Sequence, residues 1–109
     1  MFYVYIVASQ RNGTIYTGST DDLIKRVYQH REKVLKGFTA KYGVSVLVWF
    51  EQHGSRETAF RRERQIKEWR RSWKLRLIED DNPTWRDLYE DLVPGVNSPE
   101  QLPRLPDAL

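Results

Sequence analysis

Within its first twenty residues the chain sets two tyrosine-bearing runs on either side of a turn signal, which narrows the available folds more than any other feature. Phe2 to Ala8 is an apolar run containing Tyr3-Val4-Tyr5. Arg11-Asn12-Gly13 follows, and then Tyr16-Thr17-Gly18. Asn-Gly between two strand-prone runs reads as a β-hairpin, with Tyr5 and Tyr16 on facing strands. A hairpin at the start of a chain suits an antiparallel sheet rather than a doubly wound parallel one.

The rest of the chain supplies one more strand and several helices. Ser19-Thr20-Asp21-Asp22 offers N-cap candidates for a helix over residues 21–35. A loop over 36–43 leads to a third strand over 45–52. Its consecutive apolar residues, Val46 to Phe50, fit a strand covered on both faces. Gly54-Ser55 opens a helix over 56–71, a further helix spans 72–80, and a short one lies near 85–92. The fold class is α+β: a three-stranded antiparallel sheet flanked by helices, with the first strand central and the other two on its edges. Residues 1–80 form the expected domain. Residues 81–109 form an acidic C-terminal helix and an extended tail, with Pro99, Pro103 and Pro106 among its last residues.

The 109 residues allow one domain with a modest core. No cysteine is present, which excludes disulfides and thiolate metal sites. The apolar N-terminal run is short and has no basic leader, so no signal peptide or membrane span is expected, and the cytoplasm is the expected location. Charge is uneven. Residues 1–76 hold 16 Lys/Arg and 7 Asp/Glu, and residues 77–109 hold 2 and 8. A basic module with an acidic end points to a polyanionic partner, against the plainer reading of solvated helix faces.

Glu63 stands out by position. At 100° per residue, with Ala59 at about 0°, Phe60 falls at about 100° and Ile66 at about 340°, and Glu63 at about 40° lies inside that apolar arc. A carboxylate there needs a cation or donors to remain charged. Lys67 at i+4, or Arg70, would serve, and so would a divalent metal. On the first helix Arg26 and His30 lie about 60° and about 20° to one side of Leu23, at the margin of the apolar stripe. Both can reach over the sheet toward Tyr5 and Tyr16. The second helix and its junction are rich in Arg and Lys, notably Arg62, Lys67, Arg70 and Arg71, with Trp69 and Trp73 interleaved. Basic side chains track phosphates and exposed aromatics stack on bases, although core packing is the commoner use of tryptophan. Lys36, Phe38, Thr39 and Lys41 form a second candidate phosphate-contacting segment.

Taken in order, Tyr5, Tyr16, Arg26, His30 and Glu63 resemble the signature set of the GIY-YIG nucleases, close to the small single-domain bacterial members. Tyr3-Val4-Tyr5 stands where that family has Gly-Ile-Tyr, and Tyr16-Thr17-Gly18 where it has Tyr-Ile-Gly. The resemblance covers about the first three quarters of the chain. It implies a metal-dependent endonuclease acting on DNA, with Mg²⁺ or Mn²⁺ on Glu63, Tyr5 as general base, Tyr16 orienting Tyr5 or the attacking water, and Arg26 on the scissile phosphate. His30 would bind phosphate or relay the proton. With no second recognition domain, the expected substrate is DNA of a particular shape, branched or single-stranded. Two other readings remain: a nucleic-acid-binding module whose specificity comes from a protein partner, and a protein-interaction adaptor using the tail.

Overall fold

The computed structural model describes residues 1–33 and 37–93. Three strands form one antiparallel sheet: β1 (Phe2–Ala8), β2 (Ile15–Thr20) and β3 (Val46–His53), in the order β2-β1-β3. The central position of β1 is the expected one. Tyr5 pairs with Gly18 and Val7 with Tyr16, so Tyr5 and Tyr16 share a face as diagonal neighbours. The hairpin turn is longer than a two-residue Asn-Gly loop. Gly13 N–H donates to the Gln10 carbonyl, and Asn12, at φ 59°, takes the left-handed conformation in place of glycine.

The pairing of β1 with β3 slips between Ile6 and Val7. Ile6 faces Trp49 and Val7 faces Leu47, which leaves Val48 as the bulged residue. Val48 and Trp49 therefore pack on one face while Leu47 packs on the other, and both faces are covered as the apolar run of β3 requires.

Helices α1 (Leu23–Arg31), α2 (Phe38–Tyr42), α3 (Arg56–Lys67), α4 (Arg71–Asp81) and α5 (Tyr89–Leu92) complete the chain. Leu23 and Val27 of α1 and Tyr89 of α5 pack with Tyr5, Val7 and Leu47 on one face. Ala59 and Ile66 of α3 and Ile78 of α4 pack with Val4, Ile6 and Trp49 on the other. Side chains cap α1 and α3 at their N-termini: Asp22 Oδ1 accepts from Lys25 N–H, and Ser55 Oγ from Thr58 N–H.

Several boundaries differ from those expected. The first helix stops at Arg31, with Lys33 left-handed at φ 56° just beyond it. Val34, Leu35 and Lys36 lie outside the described residues. The segment read as a loop holds the turn of helix α2, bracketed by Gly37 at φ 103° and Gly43 at φ 64°. The helix expected to reach residue 71 ends at Lys67. Arg70 is extended and starts α4, so Arg70 does not share a helix face with Glu63.

The last helix is only Tyr89–Leu92, because the buried Asn82 side chain holds the preceding segment out of helical form. Its Nδ2 donates to the carbonyls of Val48 and Arg86, its Oδ1 accepts from Arg86 N–H, and Trp85 sits at φ 58°. Leu88 N–H donates to the Leu47 carbonyl, and Asp87 Oδ1 accepts from Leu47 N–H. Residues 85–93 are thereby fixed on the β3 edge, and Tyr89 and Val93 join the core. The expected tail, residues 94–109, lies outside the described residues. Among the described residues no helix is long and apolar enough to cross a membrane.

Candidate active site

The candidate residues meet at the β2 edge of the sheet, and Gly18 makes the meeting possible. A Cβ at Gly18 would lie 2.5 Å from Tyr5 Oη and 2.7 Å from Tyr5 Cζ. The phenol ring of Tyr5 therefore lies across the bare backbone of its cross-strand partner. Gly18 lies within β2, and its missing side chain, not a positive φ, is what the site uses.

From α1, His30 closes on the same ring. Its Nε2 lies 3.0 Å from Tyr5 Oη, and its Nδ1 lies 3.1 Å from Thr39 Oγ1 on α2. Tyr5 is 1% exposed and His30 4%. Burial, and after it the charge of Arg26, lower the His30 pKa to about 4, so the imidazole is neutral at pH 7. Both His30 nitrogens face protein groups, which removes phosphate binding from its expected roles. Thr39, placed by sequence reading on a phosphate-contacting segment, is buried against His30 instead.

Arg26 lies beside the Tyr5 hydroxyl and pulls its pKa down, but burial outweighs it and the phenol titrates well above its ordinary range. These protein groups therefore do not favour the phenolate that a general base would be. Tyr16 is the more exposed phenol. Its ring lies 5.8 Å from that of His30 and 6.4 Å from that of Phe38. Among the described residues the hydroxyl of Tyr5 pairs with His30 rather than with Tyr16.

Glu63 approaches from α3, on the opposite face of the sheet. Ser19 Oγ, which alternation directs to that face, donates to Glu63 Oε1 at 2.5 Å. Lys67 Nζ pairs with Oε2 at 2.7 Å, and the Glu63 side chain is only 12% exposed. Lys67 also sits 5.1 Å from the centre of the Tyr16 ring, so it bridges the two halves of the site around the strand edge. The i+4 pair of Glu63 with Lys67 is the one the sequence offered as the alternative to a metal, while Ser19 was missed. The apolar arc around Glu63 is narrower than expected, because Phe60 faces solvent.

Glu63 and the Ser19 hydroxyl are hard oxygen donors of the kind Mg²⁺ takes. One protein carboxylate is enough where substrate phosphate and water complete the shell. Among the described residues no group of three or more His, Cys, Asp or Glu surrounds it. A metal held here would draw most of its ligands from outside the protein and would compete with Lys67 for Oε2.

The other basic candidates divide. Lys41 is exposed, with its ammonium 5.5 Å from the Tyr42 ring, and Arg70 lies over Trp73. Arg62 is committed to Glu51, and Arg71 donates to the carbonyls of Asn12 and Gly13 at the hairpin tip. Of the two tryptophans, Trp69 packs against the core and Trp73 is half exposed.

Relatives carry the same fold and the same stretch of chain. A UPF0213 protein of Aeromonas salmonicida is 31% identical over 93% of this chain and 73% of its own length. A UPF0213 protein of Staphylococcus haemolyticus is 37% identical over 72% of this chain and 94% of its own. The UPF0213 protein YhbQ of Salmonella typhimurium is 32% identical over 90% and 92%. The solution NMR structure of a UPF0213 protein from Bacillus halodurans covers 83% of this chain and 96% of its own, at 27% identity and a TM-score of 0.50. Residues 1–76 match the GIY-YIG catalytic domain, the stretch that holds Tyr5, Tyr16, Arg26, His30 and Glu63. The chain therefore belongs to the GIY-YIG catalytic domain family, a nuclease superfamily.

Proposed function

We propose that the protein is a metal-dependent endonuclease that hydrolyses phosphodiester bonds in DNA. The observation that carries this reading is the convergence of Tyr5, His30 and Arg26 on one face of β2 with Glu63 from the other, joined by Lys67 around the edge.

The chemistry follows from the protonation states. A buried phenol with a raised pKa is a poor preformed base, but a neutral imidazole stands behind it. Water gives its proton to Tyr5 Oη as the Tyr5 proton passes to His30 Nε2. The water oxygen bonds to phosphorus, and the bond to the leaving oxygen breaks with its electron pair. Arg26 suits the phosphate because its planar fork is always charged and donates two parallel hydrogen bonds. Glu63, with Ser19 beside it, would hold a divalent cation, which would supply charge stabilisation for the leaving oxygen.

The surface beside the site favours unpaired strands. Phe38 and Tyr42 are each 49% exposed, and their rings lie 4.9 Å apart, next to Tyr16. Lys41 and Lys67 supply positive charge along the same row. Stacked bases with neighbouring phosphate contacts fit such a row.

The test is a cleavage assay on labelled single-stranded, duplex, nicked, flapped and branched DNA, plus RNA, with Mg²⁺, Mn²⁺ or EDTA and with Glu63→Ala. Metal-dependent cutting lost in the variant is the expected result. Binding without cutting on every substrate would replace this reading with a nucleic-acid-binding module.

A further inference from the structure

Resting on that nuclease reading, we propose that Thr39 is a positioning residue: its hydroxyl accepts the His30 Nδ1–H and so leaves the Nε2 lone pair facing Tyr5.

A neutral imidazole carries one proton, and its location decides what the other nitrogen can do. With the proton on Nδ1, Nε2 accepts from the Tyr5 hydroxyl and can take its proton. With the proton on Nε2, the ring donates to Tyr5 and cannot receive from it. The hydroxyls on either side of the ring can each donate or accept, but Arg26, which only donates, lies beside the Tyr5 hydroxyl and so turns the Tyr5 O–H toward Nε2, which leaves Nδ1–H needing an accepting group. Among the described residues that group is Thr39, 3.1 Å away and buried. The same contact serves after transfer, because an imidazolium carries both N–H groups and Nδ1–H still needs its acceptor. A carboxylate at this place would hold the imidazolium more strongly. A hydroxyl accepts from Nδ1–H without adding charge to a buried site.

The backbone around Thr39 is built for this placement. Helix α2 has only five residues, yet Gly37 at φ 103° and Gly43 at φ 64° turn the chain sharply at each end. The Thr39 carbonyl accepts from Gly43 N–H and from Val44 N–H at 2.9 Å, which ties the residue to the start of β3. Val44 is itself in the core with Tyr5 and Val27. Thr39 is thus held from the same core that holds the ring it contacts.

The test compares the full chain with Thr39→Val, which keeps the shape and loses the acceptor, and with Thr39→Ser, which restores it. Ring ¹⁵N shifts of His30 at pH 7 report the tautomer without substrate. The expected wild-type ring is protonated on Nδ1, Thr39→Val moves population toward Nε2–H, and Thr39→Ser returns it. On the best-cleaved DNA, kcat falls at least roughly tenfold in Thr39→Val and recovers in Thr39→Ser, with DNA affinity unchanged. A wild-type ring protonated on Nε2, or a Thr39→Val protein with wild-type tautomer and kcat, overturns the assignment. If the wild type cuts no substrate, the nuclease reading fails, and the tautomer measurement still decides what Thr39 does. Thermal unfolding of each variant separates loss of the contact from loss of the fold.

Discussion

Gly18→Ala tests the geometry on which the whole site depends. The added Cβ would stand 2.5 Å from Tyr5 Oη, 2.7 Å from Cζ and 3.0 Å from Cε1. Ordinary carbon contacts lie at about 3.5–4.0 Å, so roughly 1 Å must be opened. The phenol cannot yield cheaply. It is 1% exposed, it packs with Val7, Val27 and Leu47, and His30 lies 3.0 Å beyond its oxygen. Overpacking of this kind costs about 1–3 kcal/mol. A 1 Å displacement also takes Oη out of line with Nε2, and a lost hydrogen bond adds about 1 kcal/mol. Together these lower the melting temperature by roughly 10–20 °C for a chain of this size.

Cleavage should fall further than stability suggests, because the same shift breaks the proton path. Gly54→Ala is the control, since its Cβ would meet nothing within 4 Å. Thermal unfolding and single-turnover cleavage measure both effects. A double-mutant cycle with Tyr5→Phe should show coupling, because removing Oη relieves the closest contact. A Gly18→Ala protein with unchanged melting temperature and rate would refute the claim that the bare backbone is what admits the phenol.

Three other outcomes follow from the same contacts. Tyr5→Phe should abolish cleavage while DNA affinity stays within about twofold, whereas Tyr16→Phe should keep measurable cutting; the reverse pattern in single-turnover assays would exchange their roles. The His30 pKa falls to about 4 on folding from its ordinary 6.5, so the unfolded chain binds more protons between those values. Stability is then fully present above about pH 6.5 and declines as pH falls toward 4, by at most roughly 3 kcal/mol. Urea midpoints of wild type and His30→Asn at pH 7 and pH 5 check this, and equal pH dependence would count against it. Asn82→Ala removes three hydrogen bonds to buried or half-buried backbone and should cost about 2–4 kcal/mol with little effect on single-turnover rate at low temperature, as read by chemical denaturation.

Local pattern was enough to read the sheet. The apolar run of β1, the turn at Asn12 and the unbroken apolar stretch of β3 give strand order and burial, because alternation and turn chemistry act within a few residues. The five signature residues were legible as an ordered set, and the position of Glu63 inside an apolar arc hinted that its carboxylate is enclosed. What remained hidden depends on contacts between distant parts of the chain. Ser19 meets Glu63 across 44 positions, and Thr39 meets His30 only because two glycines turn α2 back onto α1. Gly18 carries no local sign that a ring will lie on it. The break between α3 and α4 has no proline or glycine to announce it, and Pro83 marks a turn without showing that Trp85 takes the left-handed conformation. In both places a partly or fully buried tryptophan, Trp69 or Trp85, packs against the core while the backbone gives way.

The position of β2 at the sheet edge explains why one active site can draw on both faces. Within a sheet, neighbouring strands keep the two faces apart, and residues on opposite faces do not meet. An edge strand has a free side, and side chains long enough can pass around it. Tyr16 lies on the face covered by α1, and Ser19 on the face covered by α3. Lys67 spans the edge, with Glu63 on one side and the Tyr16 ring on the other. A fourth strand paired to β2 would cover that edge and separate Glu63 from the tyrosines.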